Sequence, residues 1–160
     1  MQVRLRFEQF KSSGLENKLS ESVNFIRLFC SIKFKTPAGW YKTKDAIIDT
    51  GAPISLIPLD VWNNSDVKIL AEHRAYGINT KEECTIPVKV GKVKCILVDE
   101  EGNQSEEMEI LSYLALTNTV PIILGFKDLL ERFKLCFDFY EKEAWIEQKE
   151  REIKFEVLTH

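Results

Sequence analysis

Histidine is scarce in this chain: His73, in a charged stretch, and His160 are the only two. Serine- or cysteine-type hydrolysis needs an imidazole base beside the nucleophile, and neither histidine stands near a nucleophile motif. Cysteine is equally thin. Cys30, Cys84, Cys95 and Cys136 are far apart, with no C-x-x-C spacing. That argues against a metal ligand set and for buried free thiols, although the spacing leaves a disulfide open. No run approaches the ~20 apolar residues that span a bilayer. The opening MQVRLRFEQF alternates and lacks the apolar core of a signal peptide. The formal charge of −3 arises from lysines interleaved with glutamates, so no basic face for nucleic acid is expected. A cytosolic protein without cofactor, metal, membrane or nucleic-acid partner is the expectation.

The sequence has 160 residues, 44% of them hydrophobic and 29% charged, which suits one globular domain with a real core. Val3, Leu5 and Phe7 alternate with charged residues and predict a terminal strand over 2–8. Residues 11–20 are polar and read as a loop. From Val23 a long strand places Ile26, Leu28, Cys30, Ile32 and Phe34 on one face. Thr36-Pro37-Ala38-Gly39 is turn chemistry, and residues 40–49 return as a second strand. Residues 58–62 suit one helical turn with Pro58 near its start. Residues 67–70 and 74–78 look extended. A hairpin is expected around Gly91-Lys92 between strands 84–90 and 93–98. DEEGNQSEEME, 99–109, reads as an exposed, mobile acidic loop without calcium-loop spacing. Strands follow at 110–116 and 120–124. A short helix would then bury Leu129, Leu130 and Phe133. Strands around Leu135–Phe139, 144–147 and 152–158 complete a mainly β, closed, barrel-like fold with one or two short helices.

The centre of the pattern is AIIDTGAPISLIP, 46–58, where an apolar run ends in Asp49, Thr50 and Gly51. A carboxylate among β-branched residues is costly unless paired or hydrogen-bonded, and Gly51 permits a turn whose amides face it. Such a group is a candidate acid–base residue. An isolated Asp-Thr-Gly is more often only a strand-end turn. Downstream, however, VPIILGFKDLLERFKLCFDF carries Ile123-Leu124-Gly125 after another apolar run.

Taken together and in this order, the two motifs resemble those of the retropepsin-like aspartic proteases, over roughly residues 23–147. The resemblance implies the acid-protease fold, endopeptidase activity on peptide or protein substrates, and a homodimer with one aspartate from each subunit. Metal-free peptide hydrolysis needs a base for water and an acid for the scissile group, and two carboxyls sharing a proton supply both. At ~3 Å and an effective dielectric near 20, two like charges repel by about 5 kcal/mol, or roughly 4 pK units. One carboxyl therefore stays protonated beside its ionised partner, and activity should be highest under acidic to mildly acidic conditions. Only one Asp-Thr-Gly is present, so a two-fold axis beside Asp49 would have to supply the second carboxyl.

By the same resemblance, Asp49, Thr50 and Gly51 form the catalytic loop, with Thr50 bonding across the dimer. Ala52, Tyr76, Gly77, Ile78 and Ile123 contact substrate, residues 76–80 form the tip of a closing flap, and Gly125 packs beneath the loop. Retroviral members carry an acidic residue two positions after the motif glycine and an arginine after Ile-Leu-Gly. Here Pro53 and Phe126 stand there, which suggests a cellular or bacterial type with different dimer contacts. Residues 2–8 and 152–158 would either interleave with a second subunit or pair with each other. The competing reading is an inactive peptide-binding or dimerisation module with the same fold.

Overall fold

Alternation carries the architecture: wherever apolar and polar residues change places every second position, a strand forms and turns its apolar side inward. The computed structural model describes residues 1–76 and 85–148. Its strands are β1 (Gln2–Arg4), β2 (Arg6–Lys11), β3 (Asn24–Thr36), β4 (Gly39–Trp40), β5 (Lys44–Ile48), β6 (Ser55–Ile57), β7 (Val67–Tyr76), β8 (Thr85–Val98), β9 (Met108–Ala115), β10 (Ile122–Leu124), β11 (Lys134–Asp138) and β12 (Glu143–Glu147). Two short helices, α1 (Ser13–Leu19) and α2 (Leu59–Trp62), accompany them. No helix among the described residues is long and apolar enough to cross a membrane.

The long strand β3 pairs with both β5 and β8, and the path β5-β10-β6-β9-β8 joins those two partners, so the sheet closes on itself. The fold is mainly β and barrel-like, as the alternation implies. Cys30, Ile32 and Phe34 of β3 meet Ala46 and Ile48 of β5, Val93, Cys95 and Leu97 of β8, and Ile110 and Leu114 of β9 inside the ring. Each large side chain fully buried there contributes about 1.5–3 kcal/mol. Burial pushes the Cys30 and Cys95 thiols up to about 12. Both, like Cys136, are free. A separate sheet runs β1-β12-β11. Val3 and Leu5 are buried in the core, and β1 pairs with β12 of the same chain. The N-terminal terminal-strand segment is thus engaged in cis, while residues 152–158 lie outside the described residues.

Three local expectations are corrected. Residues 11–20 are not a loop: Ser12 caps α1 by accepting the Leu15 amide, and Ser20 closes it in the left-handed region (φ 55°). This helix has no buried residue and is held by its caps. Gly91 is not a hairpin. β8 runs through it without a break, opposite a bulge between Ile69 and Ala71 of a continuous β7. A Cβ at Gly91 would lie 2.6 Å from the Lys68 carbonyl and 2.8 Å from Leu114 Cδ1, so glycine marks close strand approach there. Residues 126–133 are a turn with a 3-10 segment (Leu130–Arg132), not an α-helix. Asp128 sits at φ 60° because its carboxylate accepts the Leu111 amide at 2.9 Å, which breaks helical geometry while Leu129 and Leu130 remain buried. The acidic loop is exposed over 100–104, as expected, and begins at a hydrogen-bonded Asp99. Asp99 accepts the amides of Glu101, Asn103 and Arg4 and the Asn103 side chain.

Candidate active site

β5 delivers Asp49 to the edge of the barrel, and β6 carries the chain back. β10 lies between them, parallel to β5 and antiparallel to β6. Short apolar strands suit this place because both neighbours and the core bury them: Ile122 and Leu124 face inward with Ala46 and Ile48. The loop that links β5 to β6 is therefore laid across the end of β10.

Backbone hydrogen bonds fix that crossing. The Asp49 amide donates to the Leu124 carbonyl at 3.0 Å, and the Ala52 amide donates to the Asp49 carbonyl at 3.1 Å. Beyond β10, the Phe126 and Lys127 amides donate to the carbonyls of Ala52 and Pro53, each at 3.0 Å. Ser55 is wholly buried, and its hydroxyl accepts the Gly125 amide at 3.0 Å. A Cβ on Gly125 would fall 2.6 Å from the Ala52 carbonyl oxygen and 2.7 Å from the Ile54 carbonyl carbon. Only glycine fits under the loop at this spacing. The sequence reading placed Gly125 there; it did not foresee Ser55, whose signal was a lone hydroxyl inside an apolar stretch.

On the outer side, the Gly51 amide donates to Asp49 Oδ1 at 2.9 Å. This is the amide-to-carboxylate contact expected of the turn. Asp49 is half-buried, not buried as the flanking hydrophobes suggested, and Thr50 and Gly51 are exposed. Ala52 is half-buried beside them.

Strand registry gives the loop an apolar neighbourhood. Ile47 precedes Asp49 by two positions and so shares its face of the sheet. Ile47 pairs with Ile123, and Ile123 pairs with Leu56. All three are half-buried. Ile123 was expected at the site; Ile47 and Leu56 were missed, although the two-residue period already placed Ile47 beside Asp49. A wall of three aliphatic side chains next to a carboxylate suits an apolar substrate side chain.

The flap expectation falls partly within view. β9 leaves β8 at the Val88–Ala115 pair, whereas β7 and β8 continue together to Tyr76–Thr85. Residues 74–76 and 85–87 thus form a two-stranded ribbon beyond the barrel. Tyr76 ends its described arm. Gly77 and Ile78, with the rest of the tip, lie outside the described residues.

A polar cleft of about 560 Å³ sits elsewhere, lined by Arg6, Ser31, Asp45 and Asp99 among others. Asp45 is four residues from Asp49 along the strand direction, about 13 Å away. Arg6 already bonds Asp45, Ser31 and Glu8 there. The cleft is an ion-paired surface, separate from the Asp-Thr-Gly loop.

No family model matches the sequence, and no curated protein matches it. Among solved structures, the chain is similar to the crystal structure of a retropepsin-like aspartic protease from Rickettsia conorii. The two are 14% identical with a TM-score of 0.46, over 89% of this chain and 92% of that one. So distant a likeness decides nothing about chemistry, which has to be read from the loop itself.

Proposed function

We propose that this protein is an aspartic endopeptidase whose site is made by two copies of the chain, each giving one Asp49. The observation that carries the reading is the loop: an Asp-Thr-Gly turn whose carboxylate accepts its own Gly51 amide, laid over a glycine that admits no side chain. That construction holds one carboxylate at an exposed edge, with the Asp49, Ala52 and Pro53 backbone hydrogen-bonded underneath. A second Asp49 across a two-fold axis would complete a pair that shares a proton. The ionised member takes a proton from water as it attacks the scissile carbonyl. The protonated member donates to the carbonyl oxygen, and the leaving nitrogen is protonated as the intermediate collapses. Thr50 and Gly51 hold the two loops against each other. Ile47, Ile123 and Leu56 receive an apolar side chain, and Ala52 and Tyr76 contact the substrate. Location in the cytosol belongs to the same proposal and is consistent with the free thiols.

Cleavage of a mixed peptide library by the purified protein tests this, with Asp49→Asn and a statine-type transition-state mimic as controls. The proposal expects cleavage next to apolar residues, lost in the variant and blocked by the mimic. Peptide binding without cleavage by either protein would favour the inactive module.

A further inference from the structure

The aliphatic wall beside Asp49 does not end at Leu56. Ile47 pairs with Ile123, Ile123 with Leu56, Leu56 with Tyr113, and Tyr113 with Val90. Residues that pair directly share a face of the sheet, so these five form one row on the side that carries Asp49. The core lies on the other side, where Ala46, Ile48, Leu124, Ile57 and Leu114, the alternate residues of the same strands, are buried. Tyr113 changes the character of the row. It is half-buried, and its ring stacks on His73 of β7, with centroids 6.0 Å apart and planes 21° from parallel. His73 is exposed and pairs with Val88. Its chain neighbours Glu72 and Arg74, and Lys89 opposite Glu72, alternate to the other face. On the Asp49 side the strand residues next to the rings are Ala71, Val88, Val90 and Ala115, all apolar.

Length and chemistry together say what this row takes. Neighbouring strands lie about 4.8 Å apart, so the row from Ile47 to Tyr113 is about 14 Å long. Alternate side chains of an extended peptide are only about 7 Å apart. The row is long enough for two of them, one at the aliphatic end with Ile47 and Ile123 and one at the ring end. The two ends differ in what they reward. A branched aliphatic wall takes any apolar side chain of suitable size. Flat rings favour another flat ring, through offset or edge-to-face contact, beyond the area it buries. We propose that Tyr113 and His73 form a second side-chain subsite of the peptide site, selective for an aromatic residue about two positions from the one seated against Ile47 and Ile123. The inference rests on peptide binding at the Asp49 face, as proposed above, and on neither the catalytic step nor the second copy.

Apolar peptides identical except for Phe or Leu, placed at each position in turn, test the subsite in the parent, Tyr113→Leu and Tyr113→Phe. In the parent, kcat/KM should favour Phe over Leu about fivefold at one position, two residues from the apolar residue at the cleaved bond. The ratio should fall to about one in Tyr113→Leu and persist in Tyr113→Phe. Cleavage without such a position, or a ratio that survives in Tyr113→Leu, overturns the subsite and leaves the protease standing; the rings then only pack β7 onto the barrel. A second readout needs no turnover and no folded variant at Tyr113. The chain has two histidines, so His73→Gln assigns the imidazole proton signals of His73 in the parent's NMR spectrum. The Phe peptide should move those signals at least twice as far as its Leu counterpart. That movement without cleavage by the parent supports the subsite and sinks the catalytic reading. His73 signals that stay in place with every peptide overturn the subsite, whether or not cleavage occurs.

Discussion

Beneath the 49–53 loop, the described backbone is committed: Leu124, Ala52 and Pro53 carbonyls each receive an amide, Ser55 closes Gly125, and no room is left for a methyl group. On top of the same loop, Thr50 and Gly51 are exposed and Asp49 is half-buried. The two sides differ in what they need. The underside is complete within one chain, so its residues should govern stability. If the top supplies half of the proposed two-carboxylate site, its residues should govern activity and association. Preorganisation of a charged group by a rigid support is a general requirement for efficient acid–base chemistry.

Mutations should separate the two sides. Asp49→Asn should reduce kcat by roughly 10³-fold or more, the scale of lost proton transfer, with melting temperature and mass unchanged. Activity close to the parent's would take the top of the loop out of the mechanism. Gly125→Ala should destabilise the folded chain by about 3 kcal/mol, since the new methyl meets backbone atoms that cannot turn aside. In calorimetry this is a fall of roughly 6–12 °C for a chain of this size. Ser55→Ala should cost about 1–3 kcal/mol by stranding the buried Gly125 amide, against no more than about 0.5 kcal/mol for Thr50→Ala on the exposed side. Equal losses for Ser55→Ala and Thr50→Ala in thermal melts would erase the distinction.

The smallest effect lies away from the loop. At Asp99, desolvation alone would raise the carboxyl, but the Arg4 amide, the Asn103 side chain and the Asn103 and Glu101 amides together hold it below its ordinary value of 3.8. A lowered folded value means a stabilising contribution present above that ordinary value and lost as pH falls through the folded one. Asp99→Asn should therefore lower the melting temperature at neutral pH, and the gap to the parent should close in strong acid. A gap of the same size at low pH would assign the effect to packing.

Much of this division was written in the sequence. Asp-Thr-Gly and Ile-Leu-Gly are local signals, and Gly125 packs beneath the Asp-Thr-Gly loop where the reading placed it. Ile32, Phe34 and Leu97 entered the core because alternation is a strong pattern when one face is buried. What failed was decided by distant partners. Gly91 has the look of a turn, and only the approach of β7 and Leu114 makes it a strand residue. Asp128 stops a helix because Leu111, seventeen positions earlier, offers it an amide. The caps of α1 were legible in Ser12, yet a helix that buries nothing leaves no apolar period to find. Tyr113 and His73 gave no warning either, because their stacking is visible only once the registers of β7, β8 and β9 are known.

Subunit mixing is the most direct test of a site shared between copies. The parent protein is combined with Asp49→Asn at constant total concentration, allowed to exchange, and assayed for peptide cleavage. If each site needs Asp49 from both copies, activity falls with the square of the parent fraction, to about one quarter at equal amounts. Activity in direct proportion to the parent fraction, about one half at equal amounts, would mean that one chain carries a whole site and would contradict the account.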